Sequence, residues 1–115
     1  MSAITTHVLD TSRGRPAGGV LVVLEVATSD GAGHRELGRG QTDPDGRLRT
    51  LLAPGAPFER GTYRLTFHTG AYFAANAVEG FYPEVRIDFE VRDPTQHFHV
   101  PLLLNPYGYA TYRGS

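Results

Sequence analysis

HFHVPLLLNPYGYATYRGS, His97 to Ser115, is the stretch whose reading decides the fold. Taken with period two, His97, His99, Pro101 and Leu103 fall on one face and Phe98, Val100, Leu102 and Leu104 on the other. Asn105-Pro106-Tyr107-Gly108 reads as a turn, because proline presets φ and lacks a ladder donor while asparagine and glycine tolerate turn dihedrals. A second extended run, Tyr109 to Ser115, follows. With 105–108 as the loop, Leu104 is expected opposite Tyr109, Leu103 opposite Ala110, Pro101 opposite Tyr112 and His99 opposite Gly114. The hairpin then has an apolar face and a second face bearing two histidines and a tyrosine. Its closing Tyr-Arg-Gly-Ser brings the terminal carboxylate to the histidine end.

Earlier segments carry matching strand signals. Ile4 to Leu9 is short and β-branched, with Thr5, His7 and Leu9 on one face. Gly19 to Thr28 is nearly all apolar, the pattern of a strand buried on both sides, and His34 to Thr42 is a polar, more exposed strand. Asp43-Pro44-Asp45-Gly46 is a strong turn signal that delivers Arg47 to the next short segment. Thr62 to His68 alternates with Tyr63, Leu65 and Phe67 inward, and Val85 to Val91 with Val85, Ile87, Phe89 and Val91 inward. Thr69 to Val78 is the one helical stretch, with Thr69 as its expected cap and Gly80 as its stop. Phe81-Tyr82-Pro83 reads as core filling behind it. These segments predict an all-β Greek-key sandwich of about eight strands with one short helix.

Composition narrows the function classes. Residues 1–115 are of single-domain size, and fourteen glycines and eight prolines with no long run of helix formers fit a turn-rich β protein. Eleven basic and twelve acidic side chains nearly cancel, and the basic ones are scattered singly, so neither nucleic acid nor an anionic membrane is expected as a partner. The absence of cysteine excludes disulfides, thiolate catalysis and cysteine-ligated zinc. With no apolar run of membrane-spanning length and no signal-peptide pattern at MSAITTHVLD, a cytoplasmic protein is expected.

Three features have the chemistry for a site: His7, Arg47 and the His97-x-His99 pair. Each also has a plain structural reading, as a surface histidine or a solvated turn arginine. His-x-His sets two imidazoles on one strand face about 7 Å apart, a spacing that suits a metal. No carboxylate on that face supplies a third ligand, so no metal or other cofactor is expected. No nucleophile elbow, phosphate-binding glycine loop or zinc-helix motif occurs. These residues by themselves leave the substrate unnamed.

Several motifs taken together resemble a known family. His7-Val8-Leu9-Asp10, Gly14-x-Pro16-Ala17, Thr42-x-x-Asp45-Gly46-Arg47, Phe81-Tyr82-Pro83-Glu84-Val85, His97-Phe98-His99-Val100-Pro101-Leu102-Leu103-Leu104 and the closing Tyr112-Arg113-Gly114-Ser115 are similar to the 5-hydroxyisourate hydrolases. These are transthyretin-related enzymes of urate breakdown, and the Tyr-Arg-Gly-Ser ending separates them from the hormone carrier transthyretin. The resemblance spans Thr6 to Ser115. Phe98 stands where the family often has tyrosine, and Asn105 and Ala110 where it often has serine.

The resemblance implies a transthyretin-like sandwich assembled as a homotetramer, a dimer of dimers with sites at the dimer–dimer interface. It implies His7, Arg47 and His99 as catalytic residues, with Tyr112, Arg113, Gly114 and Ser115 binding the purine-derived substrate. By strand parity the Ser115 side chain points away from the histidines. Either its backbone or carboxylate reaches the site, or the last residues leave strand geometry. The implied reaction is metal-free hydrolysis of 5-hydroxyisourate to 2-oxo-4-hydroxy-4-carboxy-5-ureidoimidazoline. A histidine activates water, Arg47 offers planar donors to the anionic substrate and oxyanion, and glycine at 114 leaves room beside His99 for a ligand. Rival readings are a transthyretin-type carrier without catalysis and a structural or adhesion sandwich.

Overall fold

The apolar halves of the alternating strands meet across two sheets. In the computed structural model, which describes residues 2–115, the chain runs β1 (Ile4–Asp10), β2 (Arg15–Pro16), β3 (Leu21–Ala27), β4 (His34–Gln41), β5 (Arg47–Leu48), β6 (Gly61–Phe67), α1 (Thr69–Ala75), β7 (Val85–Val91), β8 (Phe98–Asn105) and β9 (Gly108–Thr111). One sheet has the order β2-β1-β8-β9, with β5 also pairing β1, and the other β4-β3-β6-β7. The expected sandwich is therefore formed, with two of its strands only two residues long.

The hairpin has the register its alternation predicts. Leu104 pairs with Tyr109, Leu103 with Ala110, and an isolated bridge joins His99 to Gly114. Asn105 and Gly108 are themselves paired, which shrinks the loop to Pro106-Tyr107, and Asn105 Oδ1 accepts the Tyr107 N–H at 2.9 Å. Phe98, Val100, Leu102 and Leu104 are buried in a common core with Val22, Leu24, Leu65, Phe67, Val85 and Val91. Each such side chain contributes about 1.5–3 kcal/mol through burial. In β3, Val22 and Leu24 are inaccessible on one face, while on the other Val23 is buried and Leu21 and Glu25 are half-buried, so the second face is covered only in part.

β1 lies parallel to β8, pairing Thr5 with His99, His7 with Pro101 and Leu9 with Leu103. Directly paired residues project to the same side of a sheet. The outer face of this sheet therefore gathers Thr5, His7, Leu9, His99, Pro101, Leu103 and Ala110. Where β1 ends, the buried Asp10 carboxylate accepts hydrogen bonds from the Ser12 hydroxyl, the Ser12 and Arg13 amides, and the Tyr72 hydroxyl at 2.7 Å. That knot ties α1 to the histidine-bearing sheet.

Three local expectations are corrected. Thr69 does not cap α1: His68 occupies the N-cap position without a side-chain bond, and Thr69 is already helical, its hydroxyl buried. Gly80 is not the stop either. The helix closes on Ala77 at φ 58°, with Val78 N–H bonding Phe73 O at 2.9 Å and Ala77 N–H bonding Ala74 O at 3.1 Å, the paired bonds of a Schellman cap. Phe81 and Tyr82 do not fill the core. Phe81 is 69% exposed, its N–H bonds Pro106 O, and Tyr82 packs edge-on against Tyr109 beside the β8–β9 turn.

Candidate active site

The Asp43–Arg47 turn builds one wall. Gly46 has φ +77°, and a Cβ there would meet the Val8 carbonyl at 2.3 Å, so only glycine fits both the turn and the close approach to β1. Its N–H bonds Asp43 O at 2.8 Å, its carbonyl accepts Val8 N–H at 2.8 Å, and Asp43 Oδ1 accepts the Arg47 and Asp45 amides. This seats Arg47 directly beside His7 in the β1–β5 ladder. The same turn also holds the histidine: His7 Nε2 lies 2.9 Å from the Asp45 carbonyl oxygen. A carbonyl only accepts, so Nε2 carries the proton, and the basic nitrogen of neutral His7 is Nδ1.

The hairpin and β1 build the other wall. Thr5 Oγ1 lies 2.8 Å from His99 Nδ1 and 2.9 Å from His97 Nε2, which leaves His99 Nε2 as that ring's uncommitted nitrogen. A Cβ at Gly114 would sit 2.6 Å from His99 Cδ2. The space that glycine leaves is thus filled by the imidazole of His99 itself rather than kept for a ligand. Regular strand ends at Thr111, and beyond the single bridge at Gly114 the chain places Ser115 at a cavity of 210 Å³ with Thr5, Arg47, Arg49, His97 and His99.

Burial pushes the His99 imidazole below its ordinary value of 6.5, and the neighbouring charges of His7, His97, Arg47 and Arg49 push it further the same way. The ring is therefore neutral, and a proton acceptor, at neutral pH. Two guanidiniums line the cavity together with the chain-terminal Ser115, and that of Arg49 lies 3.9 Å from Asp43 outside it. The Arg47 guanidinium, with no carboxylate within ion-pair distance among the described residues, is the donor for an anion or developing negative charge.

Most residues singled out in the sequence converge. His99, Arg47 and Ser115 border the cavity, Gly114 packs on His99, and His7 adjoins Arg47. Within this chain Tyr112 and Arg113 lie elsewhere. Tyr112 borders a separate groove with Ile87 and Phe98, and Arg113 stacks 4.5 Å over Phe98 while donating to Gln96 Oε1 at 3.0 Å. Arg113 thus holds the chain end from the apolar side. Thr5 and Arg49 were missed. The parity of β1 puts Thr5 on the face of His7, and Arg49 follows Arg47 by one strand period, so both signals were present.

Fold and site together define a two-sheet β-sandwich with a cationic, histidine-lined face. Residues 4–114 match the HIUase/Transthyretin family. A 5-hydroxyisourate hydrolase of Caulobacter vibrioides is 46% identical over 119 residues, spanning all of both chains. The solved structure of Klebsiella pneumoniae 5-hydroxyisourate hydrolase superposes with a TM-score of 0.84 at 41% identity, covering 97% of this chain and 98% of that one. Sea bream transthyretin, solved with thyroxine, gives 0.88 at 29% identity, covering 97% and 94%. The chain belongs to the HIUase/transthyretin family.

Proposed function

We propose that this chain is a 5-hydroxyisourate hydrolase of urate catabolism, with residues 1–115 acting as one catalytic domain. The backbone overlap is as good with transthyretin as with the hydrolase, so the fold does not discriminate between carrier and enzyme. The observation that carries the reading is the neutral His99 with its free Nε2, set beside Arg47 and Arg49 at one small cavity. A carrier has no use for a base poised at a cationic cleft.

Water adds to a ring carbonyl of the substrate as His99 Nε2 takes its proton. Arg47 stabilises the oxyanion, since its planar donors remain charged at any working pH. Collapse breaks the adjacent C–N bond, and the imidazolium returns its proton to the departing nitrogen. The net change is the addition of one water, with a carboxylate and a ureido nitrogen at the two ends of the opened ring. His7, anchored by Asp45 and offering Nδ1, positions the water or the leaving group. Gly114 and Ser115 shape the cavity, and Tyr112 and Arg113 orient the ligand through the path of the chain end.

Assembly as a homotetramer, with this face turned inward, belongs to the same proposal. The cavity is smaller than the roughly 300–1,000 Å³ usual for ligand sites, and half-buried Leu9 and Leu103 lie four residues further along the same sheet face, so a second copy packed on that face would complete it. We also place the protein in the cytoplasm, in keeping with a cysteine-free sequence; no helix among the described residues is long and apolar enough to cross a membrane. The deciding experiment mixes purified protein with freshly generated 5-hydroxyisourate and follows the loss of its ultraviolet absorbance. A decay no faster than the spontaneous one would overturn the reading.

A further inference from the structure

One buried hydroxyl links the two hairpin histidines. Thr5 is 4% exposed, and its Oγ1 is within hydrogen-bond distance of His97 Nε2 and His99 Nδ1 at once. A hydroxyl has a single proton, so it donates to one ring and accepts an N–H from the other. Only two arrangements satisfy both neutral rings. In one, His99 Nδ1–H donates to Thr5, Thr5 donates to His97 Nε2, and His99 presents a bare Nε2. In the other, every donor is reversed and His99 Nε2 carries a proton. His99 shares its cavity with Arg47 and Arg49 as well as the chain-terminal Ser115, and the two cations favour a bare lone pair at Nε2 over an N–H dipole.

We propose that Thr5 is a positioning residue that couples the tautomers of His97 and His99, so that neutral His97 holds His99 in the form whose Nε2 can accept a proton. The proposal rests on His99 being the base of the reaction above. His97 is exposed and its ring is open to solvent. Protonated His97 has no lone pair at Nε2. It must donate to Thr5, whose hydroxyl then turns to His99 Nδ1 and leaves the proton on Nε2. An exposed imidazole thereby switches off a buried one without touching the substrate. The charged and titratable groups around the pair are His7 on β1, Arg47 on β5 with Arg49 following it, the chain-terminal carboxylate of Ser115, and Arg113, which reaches the His97 carbonyl.

The test reads tautomers and rates separately. Nitrogen-15 NMR of histidine-labelled protein, without substrate, is expected to show His99 protonated at Nδ1 and bare at Nε2 at neutral pH. Thr5→Val, which keeps the shape and removes the hydroxyl, leaves a proton on His99 Nδ1 without an acceptor, a loss expected to outweigh the pull of the arginines and shift His99 towards the Nε2–H form. It should also lower kcat/KM by about 10–100-fold, the usual cost of losing the partner that orients a functional histidine. Thr5→Ser should restore both. His97→Gln keeps a carbonyl acceptor for the Thr5 hydroxyl and cannot be protonated, so the acid limb of kcat/KM should move to lower pH. If His97 acted only through its charge, removing it would raise the His99 pKa and move that limb to higher pH. A wild-type His99 protonated at Nε2, a Thr5→Val protein unchanged in tautomer and rate, or an acid limb that stays put or rises in His97→Gln would each overturn the coupling. Should Thr5→Val fail to fold, the wild-type spectrum and the His97→Gln profile decide alone. Because the spectra need no substrate, they judge the coupling even if the wild-type protein left 5-hydroxyisourate untouched, a result that would count against the proposed reaction instead.

Discussion

Adding one methyl group at position 114 should disable the site while sparing the fold. The Cβ of Gly114→Ala would lie 2.6 Å from His99 Cδ2 and 3.3 Å from Pro101 Cγ. Unstrained carbon contacts sit at about 3.5–4.0 Å, so roughly 1 Å of relief is required. Pro101 is buried and fixed in the ladder, which leaves two responses. His99 swings away, stretching its 2.8 Å contact with Thr5 beyond hydrogen-bond range, or the chain end lifts and carries Ser115 off the cavity. Either response displaces a wall of the site, and a misplacement of this size costs on the order of 10²-fold in rate. We therefore expect kcat/KM for 5-hydroxyisourate to fall about 100-fold, equivalent to about 2.7 kcal/mol of transition-state stabilisation. The melting temperature should change little, because Gly114 lies past the last regular strand and away from the apolar core. Wild-type kcat/KM in this variant, measured by the absorbance assay, would refute the argument that the glycine exists to admit the His99 ring.

His99→Ala and Arg47→Ala should each lower the catalysed rate by about 10²-fold or more with unchanged circular dichroism, and near-normal turnover in either would sink its assignment. Because His99 is depressed below 6.5 in the fold, its contribution to stability is complete above that value and is lost as pH falls through its folded value. Activity limited by His99 itself should follow the same direction, so in His97→Gln, where the neighbouring imidazole no longer titrates, the pH–rate profile is expected to hold its plateau below pH 6.5. Burial raises the Asp10 carboxyl, but hydrogen bonds from Ser12 and Tyr72 outweigh it and hold it below 3.8. Tyr72→Phe should therefore destabilise the protein by about 1–3 kcal/mol by denaturant melts, with turnover per folded molecule preserved. Ala77→Gly should add about 0.5–1 kcal/mol by relieving the left-handed residue at the helix stop, read as a higher midpoint at the same slope.

Where local chemistry decides, the sequence was readable. The β8–β9 register follows from parity and a proline-bearing turn, and the Asp43–Arg47 turn from its Asp-Pro-Asp-Gly order. Phe81 and Tyr82 defeated the same reasoning, because apolar content cannot distinguish a core from an exposed aromatic patch at a sheet edge. Thr69 defeated it because capping depends on one residue of helix phase. The register puts Gly114 opposite His99, but the space the glycine leaves holds the imidazole of the same chain rather than a ligand. The parity of β1 puts Thr5 on the face of His7, but its contact with the two hairpin histidines depends on the parallel pairing of β1 with β8. No periodicity in either strand announces that partnership.

The separation between those two strands has a kinetic meaning. Thr5 and His99 are 94 positions apart, and β1 joins β8 only after the chain has traversed the whole opposing sheet. Closing so long a loop is entropically slow, and parallel pairing offers no hairpin from which to zip. The base, the hydroxyl that orients it and the arginine turn thus come together among the last events of folding. A molecule arrested with only its antiparallel sheet formed would possess half a core and no catalyst. Recovery of turnover after dilution from denaturant should accordingly lag the recovery of β-sheet circular dichroism, making the enzyme's own reaction a clock for its final docking step.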